Sequence, residues 1–137
     1  MLHRNRQVRR GAAAAELAVL LPFLIFICVI ATDWARLMYY TITIEGCARN
    51  GALYAADQIV AKQSPYSSVQ EAALAEAPNL TETATVTSSS TTDSAGNAAV
   101  VVSVSLPFHT LSNFPGVPSS QTLTRSVQMR VAPLVAR

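Results

Sequence analysis

A single carboxylate inside an apolar run is the most chemically informative feature of this chain. From Ala12 to Thr32 there are 21 residues, and Glu16 is the only charged one among them. A helix of that length is about 30 Å long, enough to cross the hydrocarbon core of a bilayer. An ionised carboxylate inside such a segment costs about 3 kcal/mol on insertion scales. A simple membrane anchor does not need that cost, so we expect Glu16 to have a functional role.

A basic leader precedes the apolar run. The first ten residues contain no acid and four arginines, which are Arg4, Arg6, Arg9 and Arg10. Clustered arginines are retained on the cytoplasmic side of the inner membrane, so we expect the rest of the chain to lie outside the cytoplasm. Beyond the leader, residues 12–137 carry six cations and eight acids. A basic body is therefore absent, and we expect no nucleic-acid partner.

The arrangement of leader, glycine and glutamate resembles a known signal. A short basic leader, then Gly11, then Glu16 at the head of an apolar helix, is similar to a class III (type IV prepilin-type) signal. The sequence of residues 9–24, RRGAAAAELAVLLPFL, most resembles that of the TadE-like minor pseudopilins of tight adherence (Tad/Flp) pili. A second stretch, Tyr40 to Ala56, resembles the segment that follows the membrane helix in that family. The Val-rich and Leu-Thr-Arg runs of the carboxyl half also resemble the family.

This resemblance implies a maturation site and a role for Glu16. In the family a prepilin peptidase cuts after the glycine, here between Gly11 and Ala12. The carboxylate of Glu16 would then attract the new α-amino group of an adjacent subunit and set the axial register of assembly. Such a pair attracts more strongly at the low-dielectric edge of a bilayer than in water.

The resemblance also implies the location and the partners of the protein. It would be a single-pass inner-membrane protein with a cytoplasmic amino terminus and an extracytoplasmic carboxyl domain. Its partners would be the prepilin peptidase, other pseudopilins and the pilin, the inner-membrane assembly platform, and membrane lipid. The function implied is assembly or initiation of a pilus, without a cofactor.

Two other interpretations of the amino-terminal segment remain open. Val29, Ile30 and Ala31 before Thr32 satisfy the small-x-small rule of an ordinary signal peptidase, which would release a soluble secreted protein. Alternatively, the segment is an uncleaved signal anchor that carries a small adaptor or sensor domain. The amino terminus of the mature protein separates the three hypotheses, because it would be Ala12, Thr32 or Met1.

The helical pattern continues beyond the apolar run. Trp34, Tyr39 and Tyr40 lie where an interfacial aromatic belt is expected. A spacing of three and four residues predicts an apolar face on the amphipathic continuation. Its members are Trp34, Leu37, Met38, Ile42, Ala48, Leu53, Ala56 and Ile59. We therefore predict one helix from about Ala12 to about Val60, although Gly46 and Gly51 each weaken it by roughly 1 kcal/mol relative to alanine.

The remaining residues predict a small domain with one helix and three strands. A short helix is expected to end near Ala77, starting either at Ser64-Pro65 or at a Ser68/Glu71 capping box. Alternation predicts strands at residues 82–88, 98–106 and 121–131, with 88–97 a turn and 107–120 a loop. The predicted fold is α+β and pilin-like: a long amino-terminal transmembrane and amphipathic helix, then a small antiparallel sheet. Its parts are a leader (1–11), a transmembrane helix (12–32), the extramembranous continuation of that helix (33–60) and the carboxyl-terminal domain (61–137).

The sequence offers little for catalysis or for metal binding. His3 and His109 belong to no metal-ligand spacing, and no Gly-x-Ser-x-Gly elbow is present, so we expect no enzymatic activity. Cys28 and Cys47 would lie about 28 Å apart along one helix, which excludes a disulfide between them. We interpret both as small apolar packing residues, with an intermolecular bridge through Cys47 as the alternative.

Overall fold

The computed structural model describes residues 4–80, 82–111 and 119–133, with side chains from residue 11 onward. It contains three helices followed by a three-stranded sheet, so the predicted α+β fold with a long leading helix is confirmed. The helices are α1 (Arg4–Ala56), α2 (Gln58–Gln63) and α3 (Val69–Leu74). The strands are β1 (Thr85–Thr92), β2 (Ala98–His109) and β3 (Ser120–Arg130).

Helix α1 is unbroken over 53 residues and is therefore about 80 Å long. It begins at Arg4, earlier than predicted, and no proline interrupts the leader between Arg4 and Gly11. It ends at Ala56 rather than near Val60, since the Asp57 side chain accepts hydrogen bonds from the backbone of Ile59 and Val60. That cap starts α2 in a new direction. Continuity past the helix glycines, which the sequence left open, is thus established.

Helix α3 begins at the capping box formed by Ser68 and Glu71. Ser68 is the N-cap of α3, and its hydroxyl accepts a hydrogen bond from the backbone of Glu71. The Glu71 carboxylate in turn accepts from the backbone and the hydroxyl of Ser67, which lowers its pKa. The predicted start at Ser64-Pro65 is wrong, because Ser64 is the C-cap of α2, and the alternative start at Ser68 is the correct one.

The sheet is antiparallel, in the order β1-β2-β3. Val100, Val102, Val104 and Leu106 are buried on one face of the central strand, as the alternation predicted. Strand β1 extends to Thr92, so the first half of the predicted 88–97 turn is wrong. Serine and threonine fit an exposed edge strand as well as a turn, and the pairing Ser88↔Val102 continues to Thr92↔Ala98.

The turn itself is built on Asp93. Its Oδ1 accepts hydrogen bonds from the backbone of Ala95 and Asn97, and Gly96 adopts a φ of 80° that favours glycine. Its Oδ2 accepts from Arg130 Nη2 at 2.6 Å, which ties the turn to the end of β3. The hydrogen bond from the Asn97 backbone, followed by that from Arg130, lowers the pKa of Asp93 to about 2.

Strand β2 runs back along α1 toward the apolar run. At the end of β2, the His109 carbonyl accepts a hydrogen bond from Arg36. At the start of β2, the Ala98 carbonyl accepts a hydrogen bond from the backbone N–H of Val131. The next residue, Ala132, donates a hydrogen bond to the Ala56 carbonyl of α1. The helix covers about 30 Å between Arg36 and Ala56, and the strand covers about 36 Å. The strand therefore runs alongside the helix from Arg36 to Ala56.

The sheet packs on a different helix face from the predicted one. The buried face consists of small residues with one larger neighbour: Ile44, Cys47, Ala48, Gly51 and Ala52. The larger residues of the predicted face are exposed instead, among them Ile42 at 70% and Leu53 at 50%. Small side chains let the sheet and α3 approach the helix backbone, which large side chains would prevent. The predicted face is thus wrong, except for Ala48 and Ala56, which are buried.

We expect that Gly51→Val will destabilise the folded protein by about 1–3 kcal/mol, since it overpacks this face. A Cβ at Gly51 would lie 3.0 Å from Ala73 Cβ and 3.2 Å from Val102 Cγ1. Arg49→Val is the matched control, because it introduces the same β-branched side chain at an exposed position of the same helix. Thermal unfolding of the full chain in detergent, followed by circular dichroism, measures the difference. Equal midpoints for the two variants would contradict the close approach.

Candidate functional site

The Glu16 carboxylate has no partner within the described part of the chain. It lies on α1 about 25 Å along the axis before Asp33, which is bonded to Leu111 of the sheet domain, and its side chain is exposed. Among the described residues, no hydrogen bond or ion pair reaches it. Within the described residues, the charge of Glu16 is therefore left for groups such as lipid, water or another subunit to compensate.

Gly11 and Ala12 lie in the same exposed segment. A Cβ at Gly11 would meet nothing within 4 Å, so the fold does not require glycine there. The helix continues through this position, and a peptidase would have to unwind it to reach the peptide bond. Glycine makes that unwinding easier, because it weakens a helix by about 1 kcal/mol relative to alanine. The side chains of the four leader arginines, Arg4, Arg6, Arg9 and Arg10, lie outside the described part of the structure.

A second polar cluster lies where the apolar run ends. Asp33 is the first buried residue of α1, at 8% exposure, and its Oδ1 accepts a hydrogen bond of 2.9 Å from the backbone N–H of Leu111. Asp33 Oδ1 also lies 3.6 Å from Arg36 Nη1, which donates to the His109 carbonyl at 3.4 Å. We call Asp33, Arg36, His109 and Leu111 the Asp33 joint.

Aromatic rings complete the Asp33 joint. The Arg36 guanidinium lies 5.9 Å from the centre of the Tyr40 ring and 5.4 Å from that of Phe108, and the two rings pack edge to face. Cation–π contacts of this kind stabilise an arginine that is partly withdrawn from water. Sequence reasoning missed this cluster. The available signal was an acid placed directly after an apolar run and three residues before an arginine.

Comparison with known families gives one match, and it lies on the long helix. Residues 11–53 match the family model described as TadE-like protein. This segment of the chain is therefore TadE-like. No curated protein and no solved structure gives a significant match. The match associates the chain with the Tad pilus system, as the sequence resemblance implied.

The TadE-like segment coincides with the long helix and leaves out the sheet. It includes Gly11, Ala12 and Glu16, and also Asp33 and Arg36 of the Asp33 joint. The partners of those last two residues, His109 and Leu111, lie outside it. The resemblance of the carboxyl half to the family therefore stays a prediction.

Cys47 is part of the TadE-like segment and of the protein core. It is fully buried, whereas Cys28 is exposed on the apolar run. Burial, and then the negative charge of Glu76, raise the pKa of the Cys47 thiol. A buried thiol with a raised pKa is a poor partner for an intermolecular disulfide, so the structure favours the packing interpretation.

Metal binding has no support in the described part of the chain, where no three histidine, cysteine, aspartate or glutamate side chains come together. The recesses beside α1 are shallow, and one of them, about 290 Å³, is lined by Ile42, Gly46 and Glu76 among others. TadE-like pilus components are structural proteins rather than enzymes.

We expect N-ethylmaleimide to modify Cys47 only after unfolding, because Cys47 is buried and its thiol pKa is raised. Cys28 lies in the apolar run, which detergent covers, so the measurement uses the Cys28→Ser variant. Ala95→Cys in the same background is the control, because it introduces an exposed thiol that should be labelled at once. Intact mass of the Cys28→Ser variant in mild detergent should show no adduct before denaturation and one afterwards. Rapid labelling of the Cys28→Ser variant, or a disulfide-linked dimer of it, would refute the burial of Cys47.

Proposed function

We propose that this chain is a minor pseudopilin that a prepilin peptidase cuts between Gly11 and Ala12. It is then held in the inner membrane by α1 and used to initiate or assemble a tight adherence pilus. One observation carries the proposal: the TadE-like match covers the helix on which Glu16 lies without a partner among the described residues. A carboxylate kept in an apolar segment without an internal partner is suited to an intermolecular contact.

Helix geometry gives the Glu16 contact a consequence for assembly. Ala12 and Glu16 are four residues apart, so they lie on the same face of α1, about 6 Å apart along its axis. To bring its own Ala12 level with this Glu16, a neighbouring subunit must be displaced by about that distance along the helix axis. The ion pair would therefore set a stagger of about 6 Å between adjacent subunits.

Length and polarity of the helix support the membrane location. Over the described residues, α1 is one helix that is long and apolar enough to cross a membrane, and its most apolar stretch is not buried by the rest of the protein. The leader arginines place the amino terminus in the cytoplasm and the sheet outside it. The peptidase, other pseudopilins and the pilin, the assembly platform and lipid are the partners that follow from this role.

The secretory alternative fits the structure less well. Cleavage between Ala31 and Thr32 would fall inside a continuous helix, two residues before Asp33, which is already bonded to the sheet domain. A signal peptidase needs an extended segment at its cleavage site, so it would have to unwind the helix beside the folded domain. An uncleaved anchor with an adaptor domain requires no such step, and the amino terminus of the protein distinguishes it from a pseudopilin.

Maturation tests the proposal directly. We expect coexpression with the cognate prepilin peptidase to lower the intact mass by that of residues 1–11 and to leave Ala12 at the amino terminus. Gly11→Leu should block the cut, because a bulky side chain makes the site harder to extend into the peptidase. Ala14→Leu, a matched replacement beyond the cut, should be processed normally. An amino terminus at Thr32 would instead show secretion, and an uncut chain beside an active cognate peptidase would show an anchor.

Assembly tests the role of Glu16 separately from maturation. We expect Glu16→Ala to be cut normally and yet to enter pilus assemblies at least about tenfold less. An ion pair at the bilayer edge is worth several kcal/mol, and 1.4 kcal/mol already corresponds to tenfold. Quantitative crosslinking to other pilus components measures the loss, and Glu45→Ala, an exposed acid on the same helix, is the control. Equal crosslinking of both variants would refute the register role.

A further inference from the structure

The Asp33 joint places one end of the sheet at the level where the apolar run of α1 stops. From Leu17 to Ile30 the large apolar side chains of α1 are exposed, as a helix surrounded by lipid requires. The hydrocarbon core is about 30 Å thick, a length that the run from Ala12 to Thr32 fills. Asp33 is therefore the first residue beyond the hydrocarbon, and it belongs to the layer of lipid headgroups.

Leu111 is held at that same level. Its backbone N–H lies 2.9 Å from the Asp33 carboxylate, and its side chain is 68% exposed. The headgroup layer is about 5–8 Å thick on each side of the bilayer, so a residue bonded to Asp33 lies inside it. An exposed leucine is ordinary in water. At this position, however, the medium around its side chain is the lipid interface.

The surroundings of Leu111 have the composition of a membrane interface. Trp34 follows Asp33 and is 60% exposed, and tryptophan favours the headgroup level of a bilayer. Arg36 is partly exposed while it bonds to the His109 carbonyl, and a cation at this depth is attracted by lipid phosphates. An apolar, an aromatic and a cationic side chain thus meet at one level of the molecule.

We propose that the end of β2 is seated in the lipid interface, with the Leu111 side chain inserted among the lipid headgroups and the Asp33 carboxylate holding it there. This proposal rests on the membrane anchor of the proposed function. It goes beyond that function because it assigns a lipid contact to the sheet domain. Since β2 runs alongside α1 from Arg36 to Ala56, the domain extends away from the membrane and its Asp93 turn lies about 30 Å from the lipid.

Depth-dependent fluorescence quenching tests whether Leu111 lies in the lipid interface. The full chain carries Cys28→Ser and one introduced cysteine labelled with an environment-sensitive dye, in vesicles of phosphatidylcholine and phosphatidylglycerol with spin-labelled lipid. Three sites are compared: Leu111→Cys, Val19→Cys in the membrane run, and Ala95→Cys in the distant turn. We expect shallow spin labels to quench position 111 several-fold more than position 95, and deep ones to quench position 19.

The three sites separate failure of the seat from failure of the anchor. If position 19 is quenched and position 111 is quenched no more than position 95, the lipid contact of Leu111 is refuted, while the membrane anchor formed by α1 stands. If position 19 is not quenched, the membrane anchor of the proposed function fails, and the seat fails with it.

Variants of Asp33 test what holds Leu111 in place. Asp33→Ala removes the acceptor of the Leu111 N–H, so quenching at position 111 should fall toward that at position 95 while quenching at position 19 is unchanged. Asp33→Asn keeps a side-chain oxygen as acceptor and should preserve the quenching. Equal quenching at position 111 in the Asp33→Ala variant would refute the holding role of Asp33.

Discussion

One helix in this protein has to satisfy two environments, and the rest of the structure follows from how it does so. In its first half α1 exposes large apolar side chains and packs against nothing else in the described chain. In its second half it offers a face of small residues, where Cys47, Ala48 and Ala52 are completely buried. Close approach of the sheet to that face determines where β2 lies, and dense packing there gives the small carboxyl domain its core.

The change between these two environments takes place without a connecting loop. Asp33 ends the exposed apolar half and at the same time binds the backbone beyond β2, and Arg36 binds the carbonyl of His109 one turn later. A buried carboxylate that accepts a backbone hydrogen bond and lies beside an arginine is compensated in both charge and hydrogen bonding. The sheet is therefore tied to the helix where the apolar run ends as well as through the small-residue face.

The amino-terminal half has the opposite character. Gly11 and Glu16 make no contact that the described fold needs, and replacing them would leave the core and the sheet unchanged. A charged residue such as Glu16 is costly in an apolar segment, and the described fold does not need it. Such a residue points to interactions with other molecules. This is why the TadE-like match, which is concentrated on the helix, says more about assembly than about the folding of the carboxyl domain.

Local patterns were enough to predict the long helix, the three strands and the buried face of β2, and they gave Ser68 as one of two possible helix starts. Each depends on side-chain periodicity or on hydrogen bonds between near neighbours, which can be read along the chain. The face of α1 that the sheet covers could not be predicted in this way. Periodicity favoured large residues such as Ile42 and Leu53, whereas contact with a sheet and a second helix required small ones. The Asp33 joint also joins residues 78 positions apart, and only the tertiary structure decides that kind of pairing because it depends on where β2 ends along the helix.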